Sequence, residues 1–378
     1  MLFADHGLSA GQISTLFVIW STTAFVLEVP SGAWADSYSR RKLLVLGALL
    51  SGLGYAAWIT LPSFAGFALG FVLWGTSSAL ISGTFEAFVY DELAARGRTD
   101  RYASLLGRAR SASFLTNLAA TALATPLFAL GGYTLAGIVS VLSCLVQAVV
   151  AFTLPEAPQA EASAEDGAES TRAAFASYLS MLRAGVTEVL TGRAVRRAVG
   201  LVALVSGFLA FDEYFPLLAR EAGASTGLIP LLIAITVAAQ AIGGALAGPA
   251  YKLPAATFAI GLGVTAVLIA AGSLSRSVWG FVPIAVGYGV MQLVIVISEA
   301  RLQDSITGPA RATVTSVSGL FAEVFAVAVY AGFALGSIWF GMSILVAALT
   351  VPVLLTAFVV PLALPAPSNS VSAEATDA

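Results

Sequence analysis

Charge is what this chain has least of. Only 10% of its 378 residues are Asp, Glu, Lys or Arg, where soluble domains carry about a quarter. With so little charge it cannot build a polar exterior, and a soluble fold is excluded. Cysteine is scarcer still: Cys144 stands alone in an apolar run, so no disulfide can form within the chain. His6 is the single histidine, and with one cysteine it leaves too few soft ligands for a common transition-metal site. No G-x-x-x-x-G-K-[ST] run is present, which excludes nucleotide-driven work by this chain alone. Nor is there a convergent set of histidine, metal ligand or activated nucleophile, so neither enzyme activity nor a cofactor is expected. The first residues lack a basic run ahead of an apolar core, so no cleaved leader is expected and later segments must direct insertion.

Apolar sequence is plentiful. At 58% hydrophobic residues, the chain reads as an all-α polytopic membrane protein. In lipid only helices or closed barrels satisfy the backbone, a span takes about 20 residues, and barrel-type alternation is absent. Windows of that length fall at 12–35, 43–61, 64–90, 106–129, 133–154, 198–219, 228–249, 254–273, 279–301, 312–335 and 339–362, giving eleven helices. Gly131-Gly132 and Gly336-Ser337 mark turns inside the two long uncharged stretches. Of the 18 Lys and Arg, threading the spans alternately puts all but Arg220 and Arg276 on one side. That side is expected to be cytoplasmic, with the N-terminus outside and the C-terminus inside, in the inner (plasma) membrane.

Four regions follow. Residues 1–154 form a first bundle of five helices, and 198–364 a second of six. Residues 365–378 form a disordered cytoplasmic tail. Between the bundles, 155–197 begins with an acidic, Ala- and Pro-rich stretch that reads as a flexible linker. It continues with Phe175, Tyr178, Leu179, Leu182, Val186, Val189 and Leu190 at helical spacing among arginines. That pattern fits an amphipathic helix on the inner leaflet, or a plain connecting helix.

The turn between the first two windows reads Gly32-Ala-Trp-Ala-Asp36-Ser-Tyr-Ser-Arg40-Arg41-Lys42. A loop so short must reverse the chain at the lipid surface, and its bases cost about 2.5–3.5 kcal/mol each at mid-helix. The pattern G-x-x-x-D-x-x-x-R-R resembles the signature turn of the major facilitator superfamily of secondary transporters. Ser39 stands where family members usually carry glycine. Arg98-Thr-Asp-Arg-Tyr-Ala103 and Phe88-Val-Tyr-Asp91-Glu92 resemble stretches of the family's permeases.

An internal repeat points the same way. Gly32 to Asp36 matches Gly244 to Gly248 at an offset of 212, and Phe85-Glu86-Ala87 matches Ser298-Glu299-Ala300 at 213. Gly7, Gly11 and Ile13 match Gly223, Gly227 and Ile229 at 216. Nearly constant offsets argue for two homologous halves, as the resemblance implies. A full helix precedes Gly223 but only six residues precede Gly7, so twelve helices are expected with the first apparently missing, through a misplaced start or a real truncation; a genuine eleven-helix form is the alternative.

The resemblance implies that Gly32, Asp36, Arg40 and Arg41 form an inner gate, with Asp36 meeting a helix N-terminus of the other half. Gly248 replaces that acid in the second copy, so one half alone should carry the latch. Glu28 and Glu86 lie about 12 Å inside the same surface, deep enough to need partners such as Arg108 and Arg110. They read as an inner ion-pair network, with direct substrate contact as the rival. Glu323 falls about 16 Å into its helix, near the midplane, where a protonated acid is tolerable and an ionised one needs a partner. It reads as a proton or substrate group, or as a structural hydrogen bond. Asp212 and Glu213 adjoin in the outer half of their helix, where like charges push one another toward protonation; gate hydrogen bonding is the rival. Asn117 and Gln240 could line a cavity or bond helix to helix.

The reading is a major-facilitator-type two-bundle fold working by alternating access, with a small, hydrophobic or weakly polar solute. Proton-coupled efflux is the first expectation; proton-coupled uptake of a metabolite, or a non-transporting remnant or receptor, are the alternatives. A monomer in the lipid bilayer is expected, with protons as coupling ion, no metal and no nucleic acid.

Overall fold

A computed structural model describes residues 1–367 except 83, 99–100, 156–175, 177–179, 181–191 and 307–310. The described residues are helical and contain no strand. They divide into two compact units, Met1–Leu179 and Ser180–Ala378. The proposed linker helix and most of the tail lie outside the described residues.

The first unit opens with the short α1 (Leu2–Asp5) and then α2 (Ala10–Ser37), whose start carries a capping box. Ser9 accepts from the Gln12 amide while the Gln12 side chain accepts from the Ser9 amide. Two more helices begin on serine caps: α3 (Arg40–Thr60) on Ser39 and α4 (Phe64–Ile81) on Ser63. The window at 64–90 is not one helix. At Ser82 the backbone turns to ψ 130, and α5 (Thr84–Ala95) starts afresh. The last helix, α6 (Tyr102–Thr153), is two legs joined at Gly131 and Gly132, where φ +59 and ψ −153 suit only a residue without Cβ.

The second unit repeats this with one further span. Its first helix α7 starts at Arg193, inside the segment read as linker, and runs to Gly207 (Arg193–Gly207). A 3₁₀ stretch, Phe208–Tyr214, then carries the chain into α8 (Phe215–Glu221). Seven residues of 3₁₀ are unusual, since its hydrogen bonds are poorer than those of an α-helix. Pro216 explains much of it. Lacking an N–H, it cannot donate to the Asp212 carbonyl, which takes the Phe215 amide in the tighter register instead. Then come α9 (Ile229–Ala245), the single turn α10 (Ala247–Ala250), α11 (Ala255–Leu274) and α12 (Phe281–Ser305). The last two are α13 (Arg311–Gly336) and α14 (Met342–Ala363).

The repeat seen in the sequence is present in the packing. In the first unit α2 lies on α4, and α3 on both α4 and α6. In the second, α9 lies on α12, and α11 on both α12 and α14. Small residues permit the matching crossings. A Cβ on Gly75 would sit 2.9 Å from the Trp20 carbonyl of α2, and one on Gly289 2.6 Å from the Ala239 carbonyl of α9. The second unit's extra span, α7 to α8, packs on α12, α13 and α14.

Among the described residues, nine helical runs are long and apolar enough to cross a membrane, and Ile229–Ala245 is shorter. The run Thr116–Thr153, at 38 residues, covers about two membrane thicknesses at 1.5 Å per residue and contains the Gly131-Gly132 break. Outward faces are apolar: Phe152, Phe358 and Leu362 stand exposed, as lipid contact requires.

Candidate functional site

Three places in the two units concentrate polar chemistry among apolar helices. The first is the turn after α2. Arg40, opening α3, reaches back to the Ala35 carbonyl with Nε at 3.1 Å and across to the Ala87 carbonyl with Nη1 at 3.1 Å. The same Nη1 forms an ion pair with Asp91 on α5. One side chain thus ties the end of α2, the start of α3 and α5. Its neighbour Arg41 donates to the Leu154 carbonyl at 3.2 Å and lies over the Phe152 ring, which ties α3 to the end of α6. Ser39 has φ −54, a backbone that needs no glycine, and its hydroxyl accepts the Lys42 amide at 3.1 Å. The family's glycine is therefore replaced by a helix cap.

The Asp36 and Arg110 side chains lie outside the described residues. Gly32 is exposed with open space around it, Glu28 and Arg108 are exposed, and Glu86 is half-buried in the first turn of α5. Sequence reasoning quoted Asp91 only for its resemblance and missed it as the partner of Arg40. Its place at the base-rich end of a span was the available signal. Glu92, next in the chain, is buried and pairs with Arg96 one turn on.

The second place is the 3₁₀ stretch of the second unit. The expectation of an α-helix through Asp212 and Glu213 is corrected here: at 3₁₀ spacing the two side chains diverge by about 120°, so they face different neighbours. The fully buried Tyr288 of α12 donates its hydroxyl to Asp212 at 2.7 Å. Phe211 and Phe215 set their edges against the Tyr288 ring at 5.6 and 5.3 Å, fixing its position. On the other flank, Tyr214 stacks on Phe333 of α13 at 4.0 Å. Tyr330, one turn before Phe333, is buried with its ring 6.3 Å from that of Tyr214. Glu323 sits in the middle of α13 and is half-buried. Of the acids named from sequence, Asp212 thus meets a tyrosine hydroxyl, Glu213 follows it in the same stretch, and Glu323 lies two turns before Tyr330 on α13. Asn117, exposed on α6 in the first unit, and Gln240, half-buried on α9, lie on other helices.

The third place went unnoticed in the sequence except as a positive charge. Arg301, near the end of α12, is 1% exposed. Its guanidinium donates to the carbonyls of Tyr251, of Leu253 at 2.6 Å and of Pro365 at 3.3 Å. The rings of Tyr251 and Phe258 lie 5.5 and 5.2 Å from it. The Tyr251 hydroxyl in turn donates to Asp304. At the opposite end of this unit, Glu221 accepts the Met342 amide at 2.6 Å and the Ser343 hydroxyl at 2.6 Å, capping α14 where its dipole favours an anion.

Known structures share this arrangement of helices. The nucleoside transporter NupG aligns with a TM-score of 0.69 at 11% identity, over 94% of this chain and 91% of that one. A D-xylose-proton symporter aligns at 0.67 and 13% identity, over 94% and 90%. The POT family transporter PepTSo aligns at 0.69 and 15% identity, over 93% and 89%. No curated protein sequence matches the chain. The profile of the Major Facilitator Superfamily matches residues 1–329. With the signature turn, the repeated packing and that match across most of its length, the chain belongs to the major facilitator superfamily.

Proposed function

We propose that this multi-pass membrane protein is a secondary active transporter that exports a small, hydrophobic or weakly polar solute in exchange for protons. The single observation that carries the coupling is Asp212 held by the buried Tyr288 hydroxyl inside a broken helix, with Glu213 next to it in the chain and Glu323 on α13, which packs against that stretch. Carboxyl groups among lipid-embedded helices are costly when charged and tolerable when protonated, so they are suited to pick up a proton on one side and release it on the other. Tyrosine hydroxyls can donate to the ionised form, as Tyr288 does to Asp212, which lowers the cost of the charged state. The 3₁₀ stretch that carries two of the acids supports the same reading. Such an interruption inside a helix is a place where the backbone can change register as access alternates.

In this reading two units expose a site alternately to either side of the inner membrane, with the Arg40 and Arg41 loop and the C-terminus in the cytoplasm. Gly32, Asp36, Glu28, Glu86, Arg108 and Arg110 would belong with those two arginines to the closure of that side. The scarcity of charge, 10% of the residues, favours a solute of low polarity, handled by a monomer.

The test is transport by the purified protein in proteoliposomes with an imposed pH gradient and a fluorescent lipophilic dye. Dye movement should require the gradient and stop when a protonophore collapses it. Asp212→Asn and Glu323→Gln should each reduce gradient-driven movement at least ten-fold while leaving passive exchange of dye measurable. Movement that ignores the protonophore removes proton coupling from the reading. Uptake coupled to protons would use the same acids, and reversing the gradient across oriented vesicles separates the two directions.

A further inference from the structure

Within the second unit, α7, α12 and α13 leave a cavity of about 520 Å³, distinct from the contact of Asp212 with Tyr288. Its walls are mostly apolar: Val202 from α7, Val296 and Leu302 from α12, Ala322 from α13. Four lining side chains are not: Ser206, Glu299, Gln303 and Ser318. Glu299 is the only charged residue among the described lining residues. It lies two positions before Arg301, so on an α-helix the two point about 200° apart. Arg301 faces inward to the carbonyls of Tyr251 and Leu253 and fixes the rotation of α12. That rotation turns Glu299 outward into the cavity, with Gln303 one turn further along the same face.

The two serines are independent evidence that something polar belongs there. The Ser318 residue is 4% exposed, and its hydroxyl has no hydrogen-bond partner among the described residues. The buried Ser206 hydroxyl has none either. Serine in a helix ordinarily satisfies its hydroxyl on the carbonyl three or four residues back, as Ser14 and Ser140 do here. A buried hydroxyl left without a partner costs about 1–3 kcal/mol; both oxygens are turned away from the open space, and a change of serine rotamer brings each to the cavity, where a ligand supplies the missing bond.

We infer that this cavity binds a primary or secondary ammonium ion with a compact apolar body. The Glu299 carboxylate meets the charge, the Ser206 and Ser318 oxygens accept the remaining N–H groups, and the aliphatic walls take the apolar part. An anion would meet the carboxylate's repulsion with no base among the described lining residues to offset it, and a neutral apolar solute would leave both hydroxyls unsatisfied. The inference replaces the hydrophobic or weakly polar solute of the transport reading above with an apolar amine in its charged form, and rests on that reading only for carriage.

The test uses the whole purified protein in detergent, with binding measured calorimetrically for four probes that share one phenyl ring: benzylammonium, the bulkier benzyltrimethylammonium, benzyl alcohol and benzoate. Benzylammonium should bind at least ten-fold more tightly than benzyl alcohol, and benzoate least of all. Glu299→Gln should erase the preference for the ammonium probes. The double variant Ser206→Ala with Ser318→Ala should weaken benzylammonium three- to ten-fold and leave benzyltrimethylammonium, which has no N–H to donate, unchanged. Equal binding of alcohol and ammonium by the unaltered protein overturns the site without any variant. So does a Glu299→Gln protein of normal melting temperature that keeps the preference. Radiolabelled benzylammonium in proteoliposomes separates this failure from failure of the transport reading. Glu299-dependent binding without carriage would remove the transporter and keep the site. Carriage that Glu299→Gln leaves untouched would remove the site and keep the transporter.

Discussion

The two halves secure the same loop with arginines that come from opposite directions. In the first half the loop supplies the arginine: Arg40 leaves the turn before α3 and reaches Asp91 and the Ala87 carbonyl on α5. In the second half the helix supplies it: Arg301 leaves α12 and reaches the Tyr251 and Leu253 carbonyls of the turn before α11. The positions correspond. Asp304 lies 213 residues after Asp91, and Tyr251 lies 213 after Tyr38, close to the offset of the rest of the repeat. The second copy kept the acid, Asp304, but gave it a tyrosine hydroxyl in place of a guanidinium. The first device is an ion pair that one partner shares with solvent, the Asp91 side chain being 45% exposed. The second is a buried cation held by carbonyls and aromatic faces, with no carboxylate among the contacts described. An ion pair at a surface can open at little cost, since exposed pairs contribute about 0–1 kcal/mol. A buried guanidinium cannot, because each bond to a charged donor is worth about 1.5–3 kcal/mol and its release exposes an expensive charge. The difference assigns movement to the first half's loop and rigidity to the second's.

The largest effect that comparison predicts is at Arg301. Arg301→Ala should destabilise the protein by about 3–5 kcal/mol, through lost hydrogen bonds and an unfilled volume. Arg301→Met, which restores most of the volume, should recover part of that. Arg301→Lys should recover little, because an ammonium cannot serve three carbonyls in one plane. Thermal unfolding in detergent reads all three, and a fall no larger than that of Arg40→Ala would dissolve the contrast between the halves.

Next comes the first half's pair. Arg40→Ala should cost about 1–2 kcal/mol, mostly from its two carbonyl bonds, and Asp91→Ala less than about 1 kcal/mol. A double-mutant cycle should give a coupling below about 1 kcal/mol that weakens further as salt is raised. Coupling that exceeds that range and resists salt would make this loop as fixed as the other.

Much of this architecture could be read from residues, for a physical reason. Lipid demands long apolar runs, and runs of that kind end where Gly131-Gly132 and Gly336 put them. The repeat was legible because Gly32 and Gly244, and Glu86 and Glu299, recur at nearly one offset, and α2 and α9, which carry the two glycines, pack alike. What escaped was whatever depends on backbone detail or on distant pairing. The breaks at Ser82 and across Phe208–Tyr214 fall within stretches long enough to read as single spans, and only Pro216 hinted at the second. The meeting of Asp212 with Tyr288 joins residues 76 apart, which no local pattern encodes. Arg301 was misjudged for a more general reason: counting positive charge assigns every arginine to water, and a buried one is invisible to the count.

The smallest effect is also the cleanest probe of how much the first half's loop tolerates. Ser39 occupies the place of a family glycine, and the sequence leaves open whether that substitution strains the turn. Its φ of −54 is ordinary for any residue, so the turn draws nothing from glycine's freedom there. What serine adds is an acceptor for the Lys42 amide at the first turn of α3. Ser39→Ala should therefore cost about 1 kcal/mol, the usual worth of a serine cap, while Ser39→Gly should cost only a few tenths. The order matters more than the size. If glycine stabilised the protein above its present level, the turn would be strained, and the flexibility attributed to this loop would come from that strain and not from the exposed ion pair beside it. If alanine and glycine proved equivalent to serine, the cap would be idle and Arg40 and Arg41 alone would hold α3 in place.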